Sequence, residues 1–168
     1  MKNLSRVVLF CMFLFAGGMS AQTLKFGHID VQQLLQAMPE REVAQKAYAK
    51  VGADLQAQLA TMQKDLTEKS KEYMAQLKTL SEPVRTAKEA EIQSLNQRIQ
   101  NFQQQAQDNL QKEEAKLFQP VMDKARKAIA DVGKEQGMLY VFDVNGLLYH
   151  SEKSIELLPL VKVKLGIK

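Results

Sequence analysis

One stretch, Ala44 to Val132, dictates most of what this chain can become. Across it the apolar positions recur at helical spacing, with Lys, Glu, Gln and Asp between them. A single interruption falls at Ser81-Glu82-Pro83. Folded back there, the stretch gives two helical arms of roughly 40 residues, each reaching roughly 60 Å. A chain of 168 residues that spends half its length on one hairpin has little left for a catalytic pocket.

The spacing also sets how the arms meet. Ala44, Leu55, Leu66 and Leu77 recur every eleven residues, as do Val51, Met62 and Tyr73. In the second arm Ile99, Leu110, Val121 and Val132 form one such column, and Leu95, Ala106, Leu117 and Ala128 another. Eleven residues make three turns at about 3.67 per turn, which predicts straight or slightly right-handed arms. A tip at Ser81–Val84 pairs antiparallel positions whose numbers total about 165. Leu66 then meets Ile99, Leu59 meets Ala106, Leu55 meets Leu110, Tyr48 meets Leu117, and Tyr73 meets Ile92. These ten residues are the expected seam. Ser81 is placed to cap the second arm, with Glu82 and Pro83 in its first turn. The seam is narrow, because Gln103, Gln104, Gln105 and Gln107 crowd it and Glu113-Glu114 interrupts it. The arms are therefore expected to bend, most of all towards the tip. Pro120 is expected to kink the second arm near Gln119.

Short elements flank the hairpin. Leu24 to Asp30 reads as a strand, and Asp30 as the cap of a short helix over Val31 to Met38. Pro39 fits the first turn of a new helix, so the long arm starts near Glu40. After Gly133 or Gly137 comes Met138 to Val144, the most strand-like run in the chain. Asn145-Gly146 then predicts a β-hairpin turn leading into Leu147 to Ser151. Ile155 to Leu158 and Leu160 to Ile167 read as short helical pieces broken by Pro159. The expected fold class is α+β, mostly α: a long antiparallel coiled-coil helical hairpin inserted into a small β-rich oligomerisation body. Residues 22–39 form the first part of the body, 40–132 the hairpin, and 133–168 the second part. Three short strands are marginal alone and leave an edge exposed. Association of several copies through Phe26, Ile29, Leu139, Val141 and Leu147 would solve both problems.

Residues 1–21 carry Lys2 and Arg6, an apolar run from Val7 to Ala16, and small residues ending at Ala21. That is the layout of a cleaved signal peptide, and the run is too short to span a bilayer. Cleavage after Ala21 leaves 21 basic and 19 acidic residues and no cysteine, since Cys11 is the chain's one cysteine. An exported chain without disulfides relies on packing or on assembly.

No constellation for chemistry is visible. His28 and His150 are the two histidines, and they lack a spaced metal-ligand set, so they read as packing or surface residues. Neither a phosphate-binding loop nor a nucleophile–base pair is found, so no catalytic residue, cofactor or metal is expected. A mature charge of +2 without interleaved aromatics gives no case for nucleic acid. Met62, Met74, Met122 and Met138 lie in or beside seams or a strand and read as packing residues.

Taken in order, several features resemble the Skp family of periplasmic chaperones, also called OmpH-like proteins. They are the exported start, Ile29-Asp30-Val31-Gln32, Met38-Pro39-Glu40, the charged hairpin, and Leu139-Tyr140-Val141-Phe142-Asp143. The resemblance implies a homotrimer in the periplasm, with three tentacle-like hairpins projecting from a small β-rich body. The hairpins would enclose unfolded outer-membrane proteins without using ATP. Some members carry a basic patch for lipopolysaccharide, so that lipid or an anionic membrane surface is a further implied partner. No motif for it matches here. Lys64, Lys69, Lys71, Lys78, Arg85 and Lys88 are interleaved with Asp65, Glu68, Glu72 and Glu89, and read as a solvated face. The alternative function is a structural coiled-coil adaptor of an envelope secretion or efflux assembly.

Overall fold

The structure, a computed structural model, describes residues 24–167; the expected signal peptide lies outside them. Strand β1 (Lys25–Ile29) leads into the short helix α1 (Val31–Ala37). The Asp30 carboxylate accepts the Gln33 N–H at 2.9 Å and caps that helix. Met38 is extended, and Pro39 opens α2 (Pro39–Gln76), since proline's missing N–H has no intrahelical partner in a first turn. Five residues later α3 (Glu82–Glu135) returns antiparallel to α2. At about 1.5 Å per residue the two arms reach about 57 and 81 Å. The last turns of α3 run past the start of α2 and become the floor of the body. The helix ends on Gly137, whose φ of 66° is the left-handed conformation glycine adopts most easily.

One core joins all the short elements. Ile29, Leu34, Met38, Leu157, Leu158 and Val161 pack on Ala44, Val121, Ala125, Ala128 and Val132. Five of these large side chains are almost wholly inaccessible: Ile29, Leu34, Met38, Leu157 and Val161. Each contributes about 1.5–3 kcal/mol on burial. Leu95 and Ile99 are also buried, but they form an island far out along the arms.

The body departs from expectation in its second half. The sheet has order β2-β1-β3, with β2 (Met138–Asp143) and β3 (Ile155–Glu156) both parallel to β1. No β-hairpin forms at Asn145-Gly146. A two-residue turn of that kind needs positive φ at both central residues, and neither has it. Asp143 instead accepts the Asn145 N–H at 3.2 Å, and the Asn145 amide reaches Asp143 and Asp30. The chain winds into a 3-10 turn over Val144–Gly146 and crosses the sheet. Ile155 is strand rather than helix, and Pro159 lies in the first turn of α4 (Leu158–Leu165) instead of breaking it. Pro120 is accommodated inside an unbroken α3.

The tip also sits earlier than Ser81–Val84. The fold-back is residues 77–81, and Ser81 occupies the capping position of α3 without a side-chain cap bond. Cross-arm partners total 164 at Glu40–Lys124 but 160 at Lys69–Glu91 and Glu72–Lys88. A capping residue begins the second helix, so the turn must precede it. Near the tip this moves partners by about one helical turn from the expected register.

Candidate functional site

The arms are held by two kinds of contact. Along most of their length the seam is apolar and thin. Ile99 is buried, while Tyr48, Leu55, Leu59, Leu66, Tyr73, Ile92, Ala106, Leu110 and Leu117 are half-buried. Tyr48 meets Phe118 edge-on at 6.2 Å between ring centroids. Phe102 of the second arm is also half-buried. Met62, Met122 and Met138 are half-buried, but Met74 is 68% exposed. One residue along a helix is about 100° round it, so with Tyr73 turned to the seam Met74 faces outwards.

Near the tip the contact becomes polar. Lys69 pairs with Glu91 at 2.7 Å and Lys88 with Glu72 at 3.0 Å, while the Tyr73 hydroxyl donates to the Glu89 carboxylate. The bond from Lys88 holds the Glu72 carboxyl below its usual range, and the bond to Glu91 raises Lys69. Accepting the hydroxyl bond, Glu89 pushes Tyr73 upwards. Part of the mixed-charge face thus links the two arms. A further pair, Glu40 with Lys124, ties them at the base and lowers the Glu40 pKa.

The body presents an open aromatic face. Register sets Phe26 beside Tyr140 and His28 beside Phe142, on the side of the sheet away from the core. Phe26 and Tyr140 stack at 6.3 Å, Tyr140 and Phe142 lie 5.9 Å apart, and all three are exposed. His28 stacks on His150 at 4.1 Å, and its Nδ1 lies 2.8 Å from the Ser154 hydroxyl. These contacts pin the crossing segment onto the sheet. Of the residues expected to mediate association, Phe26 and Leu139 are exposed. Ile29 is instead committed to the chain's own core, because strand alternation turns it towards the helices. Val141 packs against that core and Leu147 is half-buried. The aromatic pair Tyr140 and Phe142 was hidden in the sequence, since the open side of β2 depends on how β1 pairs with it.

Among the described residues no group of three His, Cys, Asp or Glu side chains converges, and no helix is long and apolar enough to cross a membrane. The geometry offers surfaces: two long flanks, a polar tip and an aromatic platform at the base.

Comparison with known proteins adds a family. A profile described as outer membrane protein (OmpH-like) matches residues 25–165. An uncharacterised protein of Aquifex aeolicus is 32% identical over 113 residues, which cover 64% of this chain and 70% of that protein. A crystal structure of an OmpH-like protein from Caulobacter crescentus, described as a candidate outer membrane chaperone, aligns with a TM-score of 0.75. It is 14% identical, over 89% of this chain and 88% of that one.

Proposed function

Because the chain belongs to the OmpH-like outer membrane protein family, we propose that it is a periplasmic holdase, which keeps unfolded outer-membrane proteins soluble between the arms of an oligomer and uses no ATP. The observation that carries this reading is the combination of long, thinly seamed arms with a body too small to cover its own aromatic face. Exposed Phe26, Tyr140 and Phe142 suit burial against further copies. Three copies joined there would mount three arms round a shared space. A client in that space is held by many weak apolar and charged contacts at high effective concentration. Exposed Met74 and Val43 supply apolar points on the flank of the first arm, with Lys71 one turn from Met74 and Lys78 in the fold-back beyond it. No catalytic step enters this mechanism.

The test is direct. The exported protein, cleaved of its leader, is mixed with a urea-denatured outer-membrane β-barrel protein, and light scattering is followed after dilution without ATP. The expected result is suppressed aggregation, with a protein mass of three chains. Binding should weaken as salt is raised, since screening shortens the reach of exposed charges. Aggregation unaffected by an excess of protein would refute the holdase. A monomeric mass would refute the shared space.

A further inference from the structure

Residues 147–154 join the 3-10 turn after β2 to β3, and they cross the sheet without helix or strand. Among the described residues, the peptide groups from Leu148 to Lys153 make no hydrogen bond to the rest of the body. Their one backbone bond is local, from the Ser154 N–H to the Ser151 carbonyl at 2.9 Å. Burial does not hold the segment either, since Leu148 is fully exposed and Tyr149 is 82% exposed.

What holds it is two side-chain contacts. The His150 ring lies on the His28 ring, with centroids 4.1 Å apart and planes within 22°. The Ser154 hydroxyl lies 2.8 Å from His28 Nδ1. Both contacts end on one half-buried side chain of β1, so His28 is the post to which the segment is tied. The pair holds every imidazole of the chain.

Neutral imidazoles stack favourably. An imidazole changes charge between about pH 5 and 8, and two imidazolium rings in contact repel. The Ser154 hydroxyl is indifferent to the change, because it donates to a bare Nδ1 and accepts from a protonated one. The stack is not indifferent. Glu156 stands opposite His28 in the β1–β3 register and so on the same side of the sheet, while Phe142 is the neighbour from β2. Asp30 lies two residues further along β1, with its carboxylate engaged by the Gln33 N–H and the Asn145 amide. The segment itself brings Glu152 and Lys153. The carboxylates favour a first proton on the pair. A second must be placed against the first at 4.1 Å.

We propose that the His28–His150 stack is a pH-operated latch: neutral or singly charged it holds residues 147–154 against the sheet, and double protonation in mild acid lets them go. The released segment binds more protons than the latched one, so release is favoured as pH falls and latching as it rises. Two unit charges about 4 Å apart shift an equilibrium about fivefold even at the dielectric constant of water, and half-burial of His28 adds to that. Release stops at β3, because Leu157 beyond it is wholly buried in the core. The freed strip carries Leu148 and Tyr149, an apolar contact that is fixed at neutral pH and mobile in acid. Mild acid leaves the tip of the arms closed, since the Glu72 carboxyl is held below 4.5.

A nitroxide on Ser151→Cys, in the full chain with Cys11→Ala, reads the mobility of the segment between pH 8 and pH 5.5. The label should be ordered at pH 8, and the ratio of mobile to ordered label should rise at least fivefold by pH 5.5, with unchanged helicity. His150→Phe keeps on His28 a ring that takes no charge, and should stay ordered at both pH values. His150→Ala should be mobile at both. By NMR the two histidines should titrate as a coupled pair, and His28 in a single step once His150→Phe is made. Equal mobility at pH 8 and 5.5 in the protein with both histidines overturns the latch, as does a pH response that survives His150→Phe. A mobile label in His150→Phe at pH 8, an ordered one in His150→Ala, or independent titration of the two histidines overturns it as well.

Discussion

Gly27→Ala is the sharpest test of how the small body is built. At this position β1 passes beneath Leu157, which is wholly buried and locks α4 onto the sheet. A methyl group there would stand 2.9 Å from Leu157 Cδ1, 3.3 Å from its Cγ and 3.4 Å from the Ile155 carbonyl oxygen. Carbon atoms pack best at about 3.5–4.0 Å, so the side chain must move by roughly half an ångström or more. Leu157 has nowhere to go, because it is enclosed by the core. Overpacking of this kind costs about 1–3 kcal/mol, and restricting the unfolded chain returns about 0.4–1 kcal/mol. The net loss expected is about 1–2 kcal/mol. Leu157→Ala alone should cost about 2–5 kcal/mol through its cavity. In the double variant the new methyl has room, so the two effects should fall short of additivity by about 1 kcal/mol or more. Urea unfolding followed by circular dichroism measures all four proteins, at one fixed protein concentration so that any self-association enters all four equally. A neutral or stabilising Gly27→Ala, or strict additivity, would refute the packing argument.

Two predictions concern the arms. Glu72 has its carboxyl pKa lowered from 4.5 by Lys88, so its contribution is present above about pH 4.5 and is lost as pH falls through the folded value. Lys69 is raised from 10.5 by Glu91, so its contribution is present below that pH and is lost as pH rises through the folded value. Spin labels at Ala75 and Ala87 should therefore report a closed tip between about pH 5 and 10, widening in acid, and Glu72→Gln should already be wider at neutral pH. A separation that ignores both pH and this substitution would show that the polar contacts do not hold the tip. Ile99→Ala empties the buried island and should cost about 2 kcal/mol locally, or about thirtyfold faster amide exchange in the distal arms. Exchange in α1 and β1 should be unchanged; an equal rise there would mean that arms and body unfold as one unit.

What was legible in the sequence follows from the range of the forces involved. The arms could be read because a helix repeats its buried face along the chain, so Ala44, Leu55 and Leu66 announce one another. Asp30 and Pro39 could be read because caps and first turns act within four residues. The Asn145-Gly146 turn misled because its local preference lost to Asp30 and Asp143, carboxylates brought together only when β1 and β2 pair side by side. The same pairing hid the aromatic face. The polar links at the tip looked like solvated charge, since Lys69 and Glu91, or Glu72 and Lys88, become neighbours only after the register of the hairpin is set. Gly27 gave no signal at all, because its partner Leu157 lies 130 residues away in the sequence.

The distribution of contacts decides how an arm like this can move. The dense core wraps the end of α3 and the start of α2, so the mount is the stiff part. Outwards the seam thins to half-buried side chains, apart from Leu95 and Ile99. The outermost links are exposed ion pairs, which water and salt screen strongly. Opening must therefore begin at the tip and stop where the core begins, because local opening follows the lowest density of buried contacts. A second consequence is that opening would not disturb the assembly proposed above. The aromatic face and the β2 edge lie at the opposite end from the weak links. Under the proposed holdase function that separation would be useful: the reach of the arms could vary while the bodies that mount them stay fixed.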